Sequence, residues 1–209
     1  VGRRWLDDTA TINPLPSLSP SIDRRRVAVI TGSNTGIGLE AAKTLVVQYG
    51  WEVVLACRSK DKALRAQAII EKAMEEESSS TNPTSTSMGR AIVLEPSLDL
   101  SDYKSIHSFV AALQHRYEKV DVLINNAGRN TSGRSTTAVT TKDSRTVQLD
   151  LLFQSNYLGH FLLTKLMLDG LNDKNGDSVL RNGGVVINVS SVMHHFAGGG
   201  GNQGTSNRI

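Results

Sequence analysis

Five short, mostly apolar runs separated by helix-like segments constrain this 209-residue chain more than any other feature of its sequence. Runs of this length and composition are typical of strands that are buried on both faces of a parallel sheet. The runs are Val27–Ile30, Val53–Cys57, Ala91–Leu94, Val120–Ile124 and Val185–Val189. Because strands that alternate with helices form right-handed βαβ units, the pattern predicts an α/β fold with a doubly wound parallel sheet and helices on both faces.

Helical patterns fill most of the intervals between these runs. The predicted helices are Gly38–Tyr49, Lys60–Glu77, Asp102–Tyr117 and Val147–Leu171. Ser101 is the predicted N-cap of the third helix, since a serine side chain can accept a hydrogen bond from the first helical turn. Two polar segments, Glu75–Arg90 and Arg129–Arg145, are predicted to be surface connections.

The periodic pattern occupies residues 24–197, which we expect to form one domain. Residues 1–23 contain three of the five prolines and are expected to form a disordered leader. Residues 198–209 are expected to form a glycine-rich polar tail. The chain starts with Val1 rather than Met, which favours a partial or processed sequence.

Composition excludes several classes of function. Lysine and arginine number 23 against 20 acidic residues, and this excess is too small to predict binding to nucleic acid. No apolar stretch reaches the roughly 20 residues of a membrane span. The single cysteine, Cys57, excludes an internal disulfide and favours a reducing, cytoplasmic or organellar compartment. We predict no metal site, because the adjacent His194 and His195 lack other ligands at a suitable spacing.

A glycine-rich turn follows the first apolar run directly and reads TGSNTGIG over Thr31–Gly38. Such a turn between a strand and a helix brings backbone N–H groups close to a pyrophosphate at the positive end of the helix dipole. Glycine is needed wherever a Cβ atom would block the phosphate or the packing of the helix on the strand. The predicted cofactor-binding residues of the turn are Gly32, Ser33, Asn34, Thr35, Gly36, Ile37 and Gly38.

The spacing of this turn and four later motifs resemble the classical short-chain dehydrogenase/reductase family. The later motifs are Asp99-Leu100, Asn125-Asn126-Ala127-Gly128, Asn156 and Ser190-Ser191, each at the expected place in the strand–helix order. The phrases VVLACR, NYLGHFLLT and INVSSVMHH are most similar to the retinol-dehydrogenase-like branch. The ACR and GHFLL phrases also occur in the related light-dependent protochlorophyllide reductases.

The resemblance implies a Rossmann-type fold and hydride transfer between a nicotinamide cofactor and a carbonyl or alcohol, with a retinoid, a steroid or another lipophilic compound as substrate. It implies cofactor contacts at Asp99, Leu100, Asn126, Ala127 and Gly128. Ser191 would hydrogen-bond the substrate oxygen and Asn156 would hold a water relay. Simpler explanations stay open: Asp99 as a helix cap, Ser191 as a turn residue and Asn156 as a polar helix residue.

The end of the second strand predicts NADP rather than NAD. An acidic residue at that point accepts hydrogen bonds from the adenosine ribose, whereas an arginine pairs with the 2′-phosphate of NADP. Here the strand ends with Cys57 and is followed by Arg58, and no acid occurs before Asp61. The alternative is that Arg58 is only a solvated charge ahead of a helix.

One part of the family pattern is missing from the sequence. The family uses a tyrosine followed four residues later by a lysine, but none of the four tyrosines has this lysine. They are Tyr49, Tyr103, Tyr117 and Tyr157. We therefore expect a fragment whose C-terminal part is missing and which is inactive by itself. The resemblance also implies that a full-length form can be a homo-oligomer, because the tyrosine–lysine helix commonly forms part of the family's interface. The alternative is a catalytically inactive dinucleotide-binding sensor or scaffold module.

Overall fold

The computed structural model describes residues 25–79, 89–130, 136–140, 146–171 and 178–190. The strands are β1 (Val27–Thr31), β2 (Glu52–Ala56), β3 (Arg90–Ile92), β4 (Val120–Asn125), β5 (Thr136–Thr140), β6 (Thr146–Asp150) and β7 (Leu180–Asn188). The helices are α1 (Gly36–Val47), α2 (Lys60–Ser78), α3 (Tyr103–Arg116), α4 (Leu151–Phe153) and α5 (Gly159–Asp169), with a π-helical turn (Gln154–Leu158) between α4 and α5. The predicted leader and tail lie outside the described residues.

Five parallel strands form one sheet in the order β3-β2-β1-β4-β7. Alternate residues of β1 enter different cores: Val27 and Val29 pack on the face covered by α3 and α5, and Ala28 and Ile30 pack on the face covered by α1 and α2. Both faces of the central strands are buried, which explains why their sequences are almost continuously apolar. The predicted α/β fold with a doubly wound parallel sheet is confirmed.

The predicted helix over Val147–Leu171 is wrong at its N-terminal end. Residues Thr146–Asp150 form strand β6, which pairs antiparallel with β5 in a backbone register that matches Val139 with Val147. The sequence TVQLD alternates polar and apolar residues, so it satisfies the two-residue period of a strand as well as part of a helical pattern. The Asp150 side chain then accepts a hydrogen bond from the Phe153 N–H at 2.9 Å and caps the helix that follows.

The N-cap of α3 and the start of β7 also differ from the sequence prediction. The N-cap of α3 is Asp102 rather than Ser101, since the Asp102 side chain accepts from the Lys104 N–H at 2.9 Å. Strand β7 begins at Leu180, five residues before the apolar run, and contains Gly183 with φ of 78°. The pairing of β4 with β7 shifts register between Val120 and Val122, and this irregularity accommodates the polar, glycine-containing start of β7.

The first residue of α5, Gly159, packs closely against the loop between β3 and α3. A Cβ atom on Gly159 would lie 2.2 Å from the backbone oxygen of Leu100. Gly159 is buried, and Leu163 and Met167 continue the same helix into the core. Glycine at this position therefore fixes the distance between α5 and the Leu100 backbone.

Among the described residues, no helix has the length and apolar character needed to cross a membrane.

Replacement of Gly159 by alanine is expected to destabilise the fold by about 1–3 kcal/mol, because the added methyl group would overlap backbone atoms. In an exposed helix, replacement of glycine by alanine instead raises the stability by about 1 kcal/mol. The free energy of unfolding in urea measures the effect. Gly128→Ala is the control, since nothing lies within 4 Å of a Cβ atom there. Equal stabilities of the two variants would contradict the steric argument.

Candidate functional site

The strand order places a crevice at the carboxyl ends of β1 and β4. The chain runs from β1 outward through β2 to β3, and then returns to place β4 on the other side of β1. Loops that leave two such neighbouring strands diverge and open a crevice, which is where doubly wound sheets bind their ligands. The glycine-rich turn follows β1 and the Asn-Asn-Ala-Gly motif begins at the end of β4, so the fold brings these two motifs together.

Glycines allow the two motifs to contact each other directly. Gly32 has φ of 67°, and a Cβ atom there would lie 2.9 Å from the Cα atom of Ala127. At Gly38 a Cβ atom would lie 2.4 Å from the side-chain nitrogen of Asn126. Gly36, with φ of 58°, begins α1. The backbone conformation of the turn and its contact with the motif after β4 therefore both require glycine.

Thr31 joins the same two motifs by hydrogen bonds. Its Oγ1 atom accepts from the backbone N–H groups of Asn126 and Ala127, both at 2.9 Å. The Asn126 side chain donates to the backbone oxygen of Thr31 at 2.9 Å. Thr31 is fully buried, so these bonds hold the end of β1 against the loop after β4 without competition from water.

A first cleft of about 310 Å³ lies over this contact. Eight residues predicted from the sequence line it: Gly32, Asn34, Arg58, Asp99, Leu100, Ala127, Gly128 and Asn156. Thr35, Gly36 and Ile37 are exposed at the start of α1, whereas Ser33 and Gly38 are buried in the turn. The Ser33 hydroxyl donates to the Ile30 backbone oxygen at 2.9 Å and stabilises the turn from within. Ser191 lies outside the described residues.

The end of β2 contributes one buried thiol and one exposed cation to the first cleft. Cys57 is buried beside Ser33, with 3.7 Å between the sulfur and the hydroxyl oxygen, and burial raises the pKa of the thiol. Arg58 is exposed and lines the cleft, and it has no charged partner among the described residues. Lys60, in contrast, forms an ion pair with Glu95. Arg58 is therefore the cation at this end of the cleft that is available to an anionic ligand.

Asp99 also lines the first cleft and lies in a local hydrogen-bonded turn. Its Oδ1 atom accepts from the backbone N–H of Ser101 at 2.9 Å and from the Ser101 hydroxyl at 2.6 Å. The alternative explanation of Asp99 as the cap of the following helix is wrong, because Asp102 has that role. Oδ2 of Asp99 has no hydrogen-bond partner within the described ranges, so this oxygen can accept a bond from a ligand in the cleft.

Asn156 lies on the π-helical turn and holds the loop after β4. Its Oδ1 atom accepts from the Arg129 N–H at 3.0 Å, and its Nδ2 atom donates to the Arg129 backbone oxygen at 2.9 Å. We call this pair of bonds the amide clamp. The turn is defined by the Gly159 N–H, which donates to the oxygen of Gln154, five residues earlier. Turns of this kind are frequent at functional sites.

A second cleft, of about 370 Å³, adjoins the first, and Ala127 and Asn156 line both. Tyr157, Phe161 and Val189 form its apolar wall. A polar cluster lies at its base: the Asn125 side-chain nitrogen donates to Thr164 Oγ1 at 3.0 Å and to Asn188 Oδ1 at 2.8 Å. The arrangement can hold a ligand that has both an apolar body and a hydrogen-bonding group.

His160 also lines the second cleft, and sequence reasoning did not select it. The signal that could have identified it is its position four residues after Asn156, which places both on one side of the helix. Burial lowers the pKa of its imidazole.

Within the described ranges, no group of three or more His, Cys, Asp or Glu side chains could hold a metal ion. His194 and His195, which were considered as metal ligands, lie outside those ranges.

The sequence model for the short chain dehydrogenase family matches residues 26–203, which include every strand described above. The chain belongs to this family. Its curated relatives include human retinol dehydrogenase 11, which is 37% identical over 171 residues, and human retinol dehydrogenase 12, which is 38% identical over the same length. Chloroplastic protochlorophyllide reductase from Chlamydomonas reinhardtii is 34% identical over 156 residues. These relatives support the retinol-dehydrogenase-like branch of the short-chain dehydrogenase family.

The chain spans less than half the length of these relatives. The match to retinol dehydrogenase 11 covers 82% of this chain and 44% of that protein, and the figures for retinol dehydrogenase 12 are 82% and 45%. The match to the protochlorophyllide reductase covers 74% of this chain and 34% of that protein.

Solved structures of short-chain dehydrogenases share the fold. The bulky-bulky ketone specific alcohol dehydrogenase from Comamonas testosteroni is similar with a TM-score of 0.55 at 20% identity, covering 83% of this chain and 57% of that one. A short-chain dehydrogenase from Streptomyces avermitilis is similar with a TM-score of 0.52 at 26% identity, covering 80% of this chain and 50% of that one.

Replacement of Thr31 by valine is expected to lower the free energy of unfolding by about 2 kcal/mol, because the N–H groups of Asn126 and Ala127 lose their acceptor. Hydrogen exchange at these two amides is expected to accelerate in the same variant. Thr31→Ser, which retains the hydroxyl, is the matched control. If the valine and serine variants were equally stable and equally protected, Thr31 would not hold the loop through its hydroxyl.

Proposed function

We propose that the whole protein is an NADP-dependent oxidoreductase that transfers a hydride between the nicotinamide and the carbonyl or alcohol carbon of a lipophilic small molecule. One observation carries the proposal: Ala127 and Asn156 line both clefts, so a dinucleotide in the first cleft would end where a substrate in the second begins. Hydride transfer needs this adjacency, because the donor and acceptor carbons must come into contact.

The first cleft suits a dinucleotide in shape and in chemistry. The glycine turn offers backbone N–H groups at the start of α1, where a pyrophosphate is favoured by the helix dipole. Open space lies beside Gly36 and Gly128, since a Cβ atom at either position would have no neighbour within 4 Å. In this proposal Asp99, which lines the cleft, accepts a hydrogen bond from the amino group of the adenine. The residues present therefore fit the cofactor that the family uses.

Arg58 supports NADP over NAD. Its guanidinium can pair with a 2′-phosphate through two parallel hydrogen bonds, and Lys60 is already held by Glu95. The position at which an acidic residue would select NAD is occupied by Cys57, whose buried thiol cannot replace a carboxylate as acceptor for the ribose hydroxyls.

The cofactor would supply the hydride, and the protein would supply proton transfer and positioning. In this proposal Ser191 donates a hydrogen bond to the substrate oxygen as negative charge develops there. Asn156 holds the loop at Arg129 through the amide clamp. Its backbone oxygen faces helix α5. The tyrosine–lysine pair of the family would come from the whole protein, since no tyrosine in this sequence has a lysine four residues later.

The second cleft favours a lipophilic substrate. Tyr157 and Phe161 are 58% and 59% exposed, which leaves large aromatic surfaces available for an apolar ligand. Retinol dehydrogenases, named for a lipophilic alcohol, are among the relatives. We infer a retinoid, a steroid or another lipophilic carbonyl compound. The comparisons give no support to the alternative of an inactive sensor or scaffold module.

Arg58→Ala is expected to weaken NADPH binding by about 1.5–3 kcal/mol, the range for a hydrogen bond to a charged group, and to leave NADH binding unchanged. Fluorescence titration of both cofactors measures the difference. Lys62→Ala removes the same charge from an exposed site on α2 and serves as the control. Equal affinity of the unmodified chain for NADH and NADPH would show that Arg58 does not select the cofactor.

Ser191→Ala in the whole protein is expected to lower kcat/KM by about 10²-fold and to leave NADPH affinity almost unchanged, because its hydrogen bond strengthens only in the transition state. The reduction of retinal by NADPH, followed by the loss of NADPH absorbance, provides the measurement. Asn156→Ala is expected to act in the same direction. Full turnover by the Ser191 variant would exclude the proposed role of the serine.

A further inference from the structure

His160 connects the glycine-rich turn to the π-helical turn, although the proposed function assigns it no role. It is the second residue of α5, and only 8% of its surface is exposed. Nε2 lies 2.9 Å from Thr31 Oγ1, and Nδ1 lies 3.2 Å from the backbone oxygen of Asn156. Both ring nitrogens of a buried imidazole therefore have a defined partner.

The hydrogen bonds of Thr31 decide which nitrogen carries the proton. A hydroxyl has two lone pairs and one hydrogen. Both lone pairs of Thr31 Oγ1 are used, since the N–H groups of Asn126 and Ala127 donate to it at 2.9 Å. Its hydrogen can go to His160 Nε2 at 2.9 Å or to the Ile124 oxygen at 3.4 Å, and the shorter contact is the stronger one.

The contact of the second ring nitrogen, Nδ1, independently indicates the same tautomer. The Asn156 backbone oxygen can only accept, so the Nδ1 atom facing it at 3.2 Å must carry the hydrogen. A proton on Nε2 alone would place an N–H against the filled lone pairs of Thr31 and a bare Nδ1 against the lone pairs of Asn156. The Nδ1–H tautomer satisfies every group, and the Nε2–H tautomer satisfies neither end.

We propose that His160 is a positioning residue, a neutral Nδ1–H imidazole that fixes the Asn156 backbone carbonyl relative to Thr31. The hydrogen bonds run in one direction: the loop amides donate to Thr31, Thr31 donates to His160, and His160 donates to Asn156. The π-helical turn is thereby attached to the end of β1. Because Asn156 lines both clefts, this attachment sets the distance between the cofactor site and the substrate site. Only this last step rests on the proposed function.

The tautomer is tested on the whole protein, labelled with ¹⁵N in its histidine rings. Two-bond ¹H–¹⁵N correlation spectra at neutral pH distinguish protonated from unprotonated ring nitrogens, and the signal lost in His160→Gln identifies His160. We expect a protonated Nδ1 and an unprotonated Nε2. An Nε2–H tautomer would overturn the proposal.

Thr31 variants test the direction of the chain of bonds. Thr31→Val removes the hydroxyl that donates to Nε2, so the Nε2 resonance of His160 is expected to move downfield, whereas Thr31→Ser leaves it in place. A ring that only filled space would show no such response. An Nε2 shift that did not change in Thr31→Val would therefore refute the hydrogen bond on which the proposal depends.

Two His160 variants in the whole protein distinguish the contributions of the two ring nitrogens. Glutamine can keep an acceptor near Thr31 but loses the donor to Asn156, whereas asparagine can keep that donor but not the acceptor. Each is expected to lower kcat about fivefold, as the loss of one neutral hydrogen bond of about 1 kcal/mol would, with KM for NADPH unchanged. His107→Asn, at an exposed position on α3, is the control.

The two proposals fail in different ways. If the unmodified whole protein has no reductase activity, the proposed function is wrong, and the ring spectra still decide the tautomer of His160. If it is active and both His160 variants keep its kcat, the positioning role is refuted and the proposed function stands.

Discussion

The candidate site depends on one oxygen atom, the side-chain hydroxyl of Thr31. It accepts from two backbone amides of the loop after β4 and lies 2.9 Å from His160, so the end of β1, that loop and helix α5 all meet there. A hydroxyl has only two lone pairs and one hydrogen, and all three are used. A change at this atom therefore affects both clefts at once. Buried groups whose hydrogen bonds are all satisfied specify one arrangement because every alternative leaves a donor or acceptor unpaired.

Close contact at three glycine positions is the second constraint on the site. Gly32 lies against Ala127, Gly38 lies against Asn126, and α5 starts at Gly159 against Leu100. None of these contacts leaves room for a methyl group, so close packing fixes the loop after β4 against the glycine-rich turn and the start of α5 against Leu100. The second cleft differs from the first because its wall is formed by exposed aromatic side chains, which can adapt to substrates of different shape.

The sequence was sufficient to predict the sheet, because strands buried on both faces must be apolar at almost every position. The cofactor cleft was predictable for a similar reason, since positive φ and close packing restrict positions such as Gly32 to glycine. Strand β6 was mistaken for helix because its short alternation fits both periods. Ser101 was mistaken for the cap because Asp102, one residue away, is equally suitable, and only the bond from Ser101 to Asp99 decides between them. His160 meets Thr31 across 129 positions, and no local pattern encodes such a contact.

The amide clamp joins Arg129 to Asn156, which are 27 positions apart, and the β5–β6 hairpin lies in the segment between them. Both ends of this segment are held together at the site. The length of the segment can therefore change without a change in the geometry of the clefts. The entropy of closing a loop grows only slowly with length, so added residues would cost little while the two bonds persist. A change in the length of the β5–β6 hairpin is therefore expected to leave Asn156 in place.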